Sequence, residues 1–413
     1  MSTPRAMTHS SLDLFDRVPI LEPIECSNTQ KIYPTNSLNE SALEFQFESD
    51  RNMMIDLQET FLFLKVKLSK GNVALEAADD AMFVNNTMHS LFSNCEVYFN
   101  NEQVYTSNGL YAHKAFISNE FSNTKGTKSS ICACQGYRYE KEPASFGDEP
   151  FLSRKAKKNE EICFYGKLAI DVFTCDKFLL PNVKIRLRLV RSRPNFYIIS
   201  NQNKNFSCSI LQASLFTRQV VIEDRIFKDL HGSLQLRPAR YNFSEVLAKT
   251  FVIPNGQNQY IHENIFNNAP IRRLAIAMNT NTAFTGSLKT NPFHYQKFNL
   301  RSIRIVRGSH VVVDMDTTDN VQSYITTMRA LKFDEDGPGI PLEEYPEHFV
   351  QVFDLTSTQE ANVQIYYPDV VAASLRLELY FTSPLPSATE VAVFGERLST
   401  IFIDKTGTVV KNG

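Results

Sequence analysis

The sequence predicts an all-β protein in which one β-rich unit occurs twice. A strand, a hairpin, a helix, a long loop and closing strands follow one another in the first half, and the same signals recur in the second half. Corresponding signals lie roughly 200 residues apart in unchanged order, which indicates a duplication within one polypeptide. The 31 Phe and 16 Tyr residues add to this prediction, because aromatic side chains favour sheet. Such a chain is more typical of a structural unit than of a catalyst.

Composition provides for two domains and argues against several functions. The chain has 413 residues, of which 43% are hydrophobic, and this suffices for two cores. A formal net charge of −2 gives no bulk attraction to nucleic acid or anionic membranes. No apolar stretch is long enough to cross a bilayer, and residues 1–18 lack the apolar core of a secretory signal. The seven scattered cysteines are expected to be reduced thiols in an intracellular setting.

The first strands follow a polar beginning. We interpret residues 1–40, which are proline-punctuated and lack periodicity, as an extended arm, with a disordered tail as the alternative. Residues 43–48 alternate with a period of two, which predicts a half-buried strand. In the strand predicted at Thr60–Leu68, we expect one face to be buried throughout and the other only near Phe61 and Phe63. The fully buried face consists of Leu62, Leu64, Val66 and Leu68.

Three elements of the first half have counterparts in the second half. The predicted pairs are the strands Thr60–Leu68 and Ile271–Met278, the hairpins turning at Asn100-Asn101 and Arg307-Gly308, and the closing strands Lys184–Arg191 and Ser374–Phe381. A Pro-Asn-Val at 181–183 and a Pro-Asp-Val at 368–370 precede the closing strands. A slip of one residue would bury charges in either closing strand, so the register is strongly specified. The residues expected to point inward are Ile185, Leu187, Leu189, Leu375, Leu377 and Leu379, and those expected to point outward are Lys184, Arg186, Arg188, Arg376, Glu378 and Tyr380.

Three segments predict helices. Asp319-Asn320 can cap a helix, and Ser107-Asn108 precede a second, weaker helical pattern. The apolar stripe of the capped helix is expected to comprise Val321, Tyr324, Ile325, Met328 and Leu331, and that of the weaker helix Leu110, Tyr111, Lys114, Ile117 and Phe121. A third candidate, Asp224–Leu236, places Ile226, Phe227, Leu230 and Leu234 at helical spacing. Because it falls between the halves, we interpret it as the connector.

Long loops occupy matching places in both halves. Residues 122–160 and 333–346 each fall between a helix and the closing strands. Long loops on a rigid sheet scaffold are usually functional or intersubunit features. Few consecutive strands are joined by tight turns, which favours Greek-key or jelly-roll crossing over a meander.

Motifs for catalysis or cofactor binding are absent from the sequence. It contains no phosphate-binding loop, dinucleotide fingerprint, nucleophile elbow or zinc-protease helix. Cys132-x-Cys134 lacks a second ligand pair for zinc, and Asp314, Asp316 and Asp319 with residues 334–337 depart from calcium-loop spacing. The histidines, which include His89, His262 beside Glu263 and His294, mark no nucleophile. We therefore predict no catalytic, cofactor-binding or metal site, and no cofactor.

Two basic segments remain to be explained. Arg154–Lys158 suits a nuclear-import or nucleic-acid patch, but Glu160 and Glu161 follow, so a solvated loop of mixed charge is the preferred interpretation. The closing strand of the first half concentrates five cations: Lys184, Arg186, Arg188, Arg191 and Arg193. Cations this close repel one another unless acids or phosphates face them. We expect an acidic neighbour or a neighbouring subunit here, with contact to nucleic acid as the second choice.

Particular segments of the sequence, in fixed order, resemble one family. They are HSLFSNCEVYFNNEQV at 89–104, FYGKLAIDVF at 164–173, VKIRLRLVRSRPNF at 183–196, ILQASLFTRQV at 210–220, NIFNNAPIRRLAIAM at 264–278, LKTNPFHYQKFNL at 288–300, FVQVFDLT at 349–356 and SLRLELYFTSPLPSATEVAVFGE at 374–396. Together they resemble the double jelly-roll major capsid (hexon-like) proteins of Polinton/Maverick elements and adintoviruses. The resemblance runs from about residue 41 to near the C-terminus, and the arm and residues 122–160 match poorly.

The resemblance implies two tandem eight-stranded jelly rolls and a virion structural protein that is not an enzyme. Three copies would form a pseudo-hexameric capsomer, and capsomers would tile an icosahedral capsid around the double-stranded DNA of a virus. Implied partners are the chain itself, a single jelly-roll vertex (penton) protein and, non-specifically, packaged DNA, with no small-molecule substrate. Assembly inside the host cell, in nucleus or cytoplasm and without secretion, is expected.

The predicted domain plan has five parts: an N-terminal arm at 1–40, a first jelly roll at 41–222, a helical connector at 223–238, a second jelly roll at 239–405 and a C-terminal tail at 406–413. Two other functions remain as alternatives. A carbohydrate-binding or carbohydrate-cleaving β-sandwich usually relies on Trp platforms or facing carboxylates, and the chain has no Trp. A nucleic-acid-binding protein using the Arg186/Arg188 face would show steep salt dependence.

Overall fold

Two stacked pairs of antiparallel sheets make up the computed structural model, which describes residues 23–49, 52–71, 73–76, 78–139, 160–332, 337–361 and 372–412. The strands of the first half are β1 (Ile24–Ile32), β2 (Ala42–Phe47), β3 (Met53–Lys70), β4 (Val73–Ala74), β5 (Met82–Phe83), β6 (Phe92–Phe99), β7 (Glu102–Thr106), β8 (Glu161–Lys167), β9 (Ile185–Arg191), β10 (Ile198–Ile199) and β11 (Phe206–Ile222). Those of the second half are β12 (Ala239–Ile253), β13 (Gln259–His262), β14 (Arg273–Thr280), β15 (Leu300–Arg307), β16 (His310–Asp316), β17 (Val350–Asp354), β18 (Leu375–Phe381), β19 (Thr389–Ile403) and β20 (Val409–Asn412).

Short helices occupy the connections between strands. They are α1 (Thr87–Ser90), α2 (Tyr111–Ser122), α3 (Lys125–Ser129), α4 (Pro194–Tyr197), α5 (Asp224–Leu236), α6 (Asn281–Thr285) and α7 (Asn320–Leu331), with 3-10 turns at Cys132–Gln135, Asp171–Thr174 and Tyr345–Glu347. The predicted connector helix at 224–236 and the helix after Asp319 are both confirmed. The Asp319 carboxylate accepts a hydrogen bond from the Val321 amide at 2.9 Å, as expected of a cap.

The strand order is the same in both halves. In the first half, one sheet runs β1-β11-β3 with β8 on the far side of β3, and its partner sheet runs β2-β9-β6-β7. In the second half, the corresponding orders are β12-β19-β14-β17 and β13-β18-β15-β16. When the two-residue strands β4, β5 and β10 are left out, the eight remaining strands of the first half correspond in chain order to β12–β19, and the first pair of orders becomes the second. The predicted all-β fold of two tandem jelly rolls is thereby confirmed.

The alternation predicted for the strands holds in both cores. Leu62, Leu64 and Val66 are fully buried, as are the inward residues of β9, and the inward residues of β18 are at most 2% exposed. Glu378 points outward as predicted but is nevertheless only 4% exposed. Arg376 lies 2.9 Å from its carboxylate and the Tyr380 hydroxyl donates to it at 2.9 Å, so neighbouring side chains cover it.

Several predicted boundaries differ from the structure. Residues 24–32, assigned to the arm, form β1, the outer strand of a sheet; its burial shows no alternation, so the sequence carries no strand period there. Residues 409–412, assigned to the tail, form β20 and pair with β19. The second hairpin turns at Gly308-Ser309, one residue later than predicted, because β15 continues through Arg307. The Pro-Asp-Val at 368–370, the basic run at 154–158 and residues 1–22 lie outside the described residues.

The apolar stripe predicted for α7 is correct only in part: Met328 is buried and Tyr324 and Leu331 are partly buried against the cores. Val321 and Ile325, in contrast, are 49% and 47% exposed. The buried face also carries Ser323 and Thr327, which hydrogen-bond with the side chains of Gln351 and Tyr345. A buried polar network of this kind satisfies its own donors and acceptors and takes positions that an apolar stripe would otherwise occupy.

Candidate assembly site

The residues considered for metal or catalytic chemistry lie apart from one another. Among the residues that the structure describes, no group of three or more His, Cys, Asp or Glu side chains is arranged to hold a metal ion. Cys132 is buried while Cys134 is exposed. Asp316 accepts from the Thr318 amide at 2.7 Å and Asp319 caps α7, so these two carboxylates stabilise local backbone. Residues 334–336 lie outside the described part of the chain.

The histidines named from the sequence have different surroundings. His89 is buried and shares hydrogen bonds with Tyr111 and Gln135, and burial lowers its pKa to about 4. His262 stacks on the ring of Phe251, with ring centroids 4.8 Å apart, and His294 is buried.

The basic strand meets acids of its own sheet. The Arg188 guanidinium lies 3.2 Å from Glu44 on β2 and 3.3 Å from Glu96 on β6. The Arg186 guanidinium covers the ring of Tyr98 at 4.1 Å. Arg191 is half-buried and donates to the carbonyl of Leu38. Acidic residues of the same chain therefore face Arg188, which was one of the two expectations, the other being a neighbouring subunit. The nucleic-acid alternative is not favoured.

Helix α2 lies between the two halves and is buried on nearly all sides. Nine of its residues are buried, although the sequence predicted only a weak stripe. The Phe116 ring stacks on Phe293 of the second half, with centroids 4.5 Å apart and planes within 5°. The His113 ring stacks on Phe284 at 3.8 Å, and its Nδ1 lies 2.8 Å from the Tyr295 hydroxyl. The first half thus inserts a helix into the second half through aromatic contacts.

Buried charges reinforce this junction. Lys114 on α2 lies 2.6 Å from Asp171, and the other oxygen of that carboxylate accepts from the Val246 amide on β12 at 2.8 Å. Burial raises the pKa of Asp171, an effect that the Lys114 charge opposes. Lys128 is fully buried and donates to the carbonyl of Pro338 at 2.8 Å. The sequence analysis did not predict that these charged residues are buried. For Lys114, the available signal was its position within the predicted apolar stripe of α2.

Because α2 packs there, the outer face of the second half's β12-β19-β14-β17 sheet is covered. Its outward side chains are small except for Phe394, and they belong to the same apolar cluster as Phe116, Ile117 and Phe121 of α2. Those outward residues are Ala248, Ala277, Val350, Val352, Ala392 and Phe394, all at most 5% exposed. A gap of about 150 Å³ remains between α2 and this sheet.

Among the residues that the structure describes, the equivalent outer face of the first half is only partly covered. It carries Phe61 on β3, Tyr165 on β8 and Phe216 on β11, which we call the aromatic face. The rings of Phe61 and Tyr165 stack at 5.2 Å, and Phe216 meets the Tyr165 edge at 5.8 Å. Tyr165 is 43% exposed. Lys167 and Lys31 lie over Phe61 and Phe216, with their ammonium groups 5.2 and 5.8 Å from the ring centroids.

The connector helix α5 is less well packed than α2 and α7, the two other helices of similar length. None of its residues is buried, and Leu230 and Leu236 are 42% and 89% exposed. A cavity of about 440 Å³ lies between its apolar side and residues 180–183 and 403–407. No helix in the described part of the chain is both long and apolar enough to cross a membrane.

Comparison with known proteins relates the fold to virus capsids. No protein-family model matches the chain. An uncharacterized protein of Caenorhabditis elegans is 19% identical over 309 residues, which cover 71% of this chain and 73% of that protein. Among solved structures, a chain of the Sputnik virophage matches with a TM-score of 0.66 and 9% identity, covering 98% of this chain and 92% of that one.

Two further structures are named as capsid proteins. The mavirus major capsid protein matches with a TM-score of 0.55 and 11% identity, covering 100% of this chain and 95% of its own. A chain of the PBCV-1 virus capsid matches with a TM-score of 0.60 and 9% identity, covering 94% and 96%. At 9–11% identity, these likenesses concern the fold. The chain therefore has the double jelly-roll fold of viral major capsid proteins.

Proposed function

We propose that the protein is a major capsid protein whose homotrimers form pseudo-hexameric capsomers of an icosahedral virion. The observation that carries the proposal is the repetition of one strand order in two halves joined by a buried helix. The likeness to capsid proteins over nearly the whole chain supports it. Three copies of such a chain would place six similar β-sandwiches around one axis through a closed heterologous interface.

The physical basis of this function is stiffness. Each half encloses a core between two sheets, and α2 joins the halves through packed rings and a buried ion pair. Each half is stiff because protein interiors pack as densely as crystals of small molecules and have low compressibility. In such a unit, the two halves keep their relative orientation when neighbouring units press on it.

The finer assignments are also part of the proposal. We propose membership of the Polinton/Maverick and adintovirus group, a single jelly-roll penton protein as vertex partner and non-specific contact with packaged double-stranded DNA. Assembly would take place inside the host cell, in nucleus or cytoplasm, and the product would be the virion capsid. We propose the domain division given above, with jelly rolls at 41–222 and 239–405 to whose sheets the arm adds β1 and the tail adds β20, the connector at 223–238, and no catalytic, cofactor or metal site.

The test is assembly of the purified protein. Size-exclusion chromatography with light scattering should give a trimer of the 47.1 kDa chain at micromolar concentration. Negative-stain images should show three-fold particles with a six-sided outline, and overexpression should give shells. A strictly monomeric protein at high concentration would overturn the proposal.

A further inference from the structure

Two arginines of the basic closing strand are not faced by an acid. Arg188 meets two carboxylates and Arg186 covers a tyrosine ring, but Arg191 donates only to the carbonyl of Leu38. Arg193 is exposed and forms no ion pair with any residue that the structure describes. Burial lowers the pKa of Arg191, yet an arginine side chain stays protonated in proteins. Both guanidinium groups are therefore positive charges that the described chain leaves uncompensated.

These two arginines line a cleft between the two jelly rolls, which we call the junction cleft. Its volume is about 420 Å³, which lies within the range of small-molecule sites. The first half contributes residues at the beginning of β6 and α2, at the end of β9 and in α4, and the second half contributes residues of β12, α6 and β19. A molecule bound in the junction cleft would thus contact both halves at once.

One wall of the junction cleft favours an anion. Between the two arginines lies Ser192, which is 8% exposed, and neither its hydroxyl nor the buried Nε of Arg191 has a hydrogen-bond partner. Guanidinium groups match the oxygen atoms of a phosphate in charge and geometry. The carboxylate that lines the cleft, Glu390, is buried and accepts a hydrogen bond from the side-chain amide of Asn281 at 2.7 Å. It forms no ion pair with Arg191 or Arg193, so the positive wall stays available.

The remaining wall of the junction cleft is apolar. Leu110 and Phe284 are 9% and 6% exposed, whereas Phe196 is only partly buried and lies edge-to-face with His113, with ring centroids 5.3 Å apart. A Cβ at Gly286 would lie 2.9 Å from Cα of Phe196, so the backbones of the two halves are in close contact beside this wall. The wall is therefore held in place, and the ring of Phe196 offers apolar surface to a flat group.

We propose that the junction cleft binds a nucleoside monophosphate, a small phosphate ester that carries a flat ring. The phosphate would lie against Arg191 and Arg193, and the base would lie on the apolar wall at Phe196. A free phosphate would use only the charged wall, and a nucleoside would use only the apolar one. Because the ligand contacts both jelly rolls, it would stabilise the folded chain by binding it in preference to the unfolded one. This inference goes beyond the proposed capsid function and does not depend on trimer formation.

Isothermal titration calorimetry of the full-length protein with adenosine monophosphate, adenosine and inorganic phosphate tests the two walls separately. Adenosine monophosphate should bind with a Kd below about 1 mM. Adenosine and inorganic phosphate should each bind at least about 10-fold more weakly, because each loses the contacts of one wall. Adenosine monophosphate should also raise the midpoint temperature of thermal unfolding as its concentration rises. No binding at millimolar concentration, or equal affinity for either fragment, would overturn the inference.

Variants locate the binding in the junction cleft. Arg193→Gln changes an exposed residue, so it should keep the wild-type fold by circular dichroism while weakening adenosine monophosphate at least about 10-fold. The matched control is Arg186→Gln, which removes the same charge from an exposed position of the same strand outside the cleft and should keep the wild-type affinity. Equal losses in the two variants would show attraction to overall charge and would overturn the site.

A substitution in the second half tests whether the site spans both jelly rolls. Thr250 is exposed on β12 and lines the junction cleft. Thr250→Glu places a carboxylate opposite the arginines and should weaken adenosine monophosphate at least about 10-fold, whereas Thr250→Gln, of similar size and without charge, should weaken it less. Equal affinities of these two variants would contradict a phosphate in the cleft. All of these outcomes leave the proposed capsid function standing, because trimer formation tests that function separately.

Discussion

His113 of the first half and Tyr295 of the second half share a hydrogen bond of 2.8 Å across the junction. Both side chains are buried, and burial lowers the pKa of His113 to about 3 and raises that of Tyr295 well above its ordinary range. Both rings are therefore neutral near pH 7. A charged imidazolium stacked on Phe284, with Phe196 and Phe293 packed edge-on against it, would lose its hydration. The junction is built for the neutral form.

The first prediction is a loss of stability in mild acid that depends on His113. In the unfolded chain the imidazole titrates near 6.5, so between pH 6.5 and pH 3 the unfolded state binds a proton that the folded state does not. Stability should therefore fall as the pH falls through this window. At pH 5 the loss from this one residue should be roughly 2 kcal/mol. Urea unfolding at pH 7 and pH 5 measures it.

The variant His113→Asn should lower the free energy of unfolding at both pH values. The difference in this free energy between pH 7 and pH 5 should be smaller than in the wild type by about that amount. His231→Asn is the matched control, because His231 is exposed on α5. It should keep the wild-type difference. An unchanged pH dependence in His113→Asn would contradict the buried neutral imidazole.

The second prediction concerns the ion pair of Lys114 and Asp171. Lys114→Met keeps the length and the apolar stem of the side chain but leaves the buried Asp171 carboxylate without its cation. Removing one partner of a buried pair costs about 3–5 kcal/mol. The denaturation midpoint should fall accordingly. The loss should shrink at acid pH, because burial raises the pKa of Asp171 and a protonated carboxyl no longer needs the cation.

A surface pair provides the comparison. Lys177 and Asp176 lie 3.2 Å apart, with both side chains about two-thirds exposed. Lys177→Met should change stability by at most about 0.5 kcal/mol. Equal losses for the buried and the exposed lysine would show that the Lys114 pair contributes no more than a solvated one.

Strand content was predictable because alternation is a local property. Leu62, Leu64 and Val66 face the core wherever the second sheet lies, so a period of two suffices to identify them. Strand β1 escaped prediction because both of its faces are exposed almost throughout, which removes the period. The extension of β3 to 18 residues also depends on pairing with β11, a contact distant in sequence.

Local pattern predicted the faces of the helices only in part. All residues of the stripe predicted for α2 are buried, but the helix is buried on nearly all sides because it lies between two jelly rolls, and its own 12 residues do not indicate that second contact. In α7, Ser323 and Thr327 are buried because Gln351 and Tyr345 satisfy them from another part of the chain. A hydrophobic stripe assumes that apolar residues face inward, and buried polar networks break that assumption.

The third prediction concerns Gly395 on β19. A Cβ at this position would lie 2.7 Å from Cε2 of Phe266 and 3.0 Å from Cδ1 of Ile271, both in the second core. Gly395→Ala should therefore destabilise the protein by about 1–3 kcal/mol through overpacking. Gly232→Ala is the control of opposite sign, because nothing lies within 4 Å of its position in the exposed helix α5 and alanine favours helix by up to about 1 kcal/mol. The midpoint temperature of thermal unfolding should fall in Gly395→Ala and rise in Gly232→Ala.

The last prediction separates backbone conformation from side-chain bonding in the first hairpin. Asn100 and Asn101 both have positive φ, at 47° and 73°, so glycine is acceptable to the backbone at either position. Only Asn100 uses its side chain: its carbonyl oxygen accepts from the Lys184 amide at 2.8 Å, and its amide donates to the carbonyl of Gly407 in the second half at 2.8 Å. Asn101→Gly should change stability by at most about 0.5 kcal/mol, whereas Asn100→Gly should cost about 1–2 kcal/mol for two lost bonds. Denaturation midpoints of the pair measure the difference. If both variants lose the same stability, the hairpin tip does not fasten the two jelly rolls through Asn100.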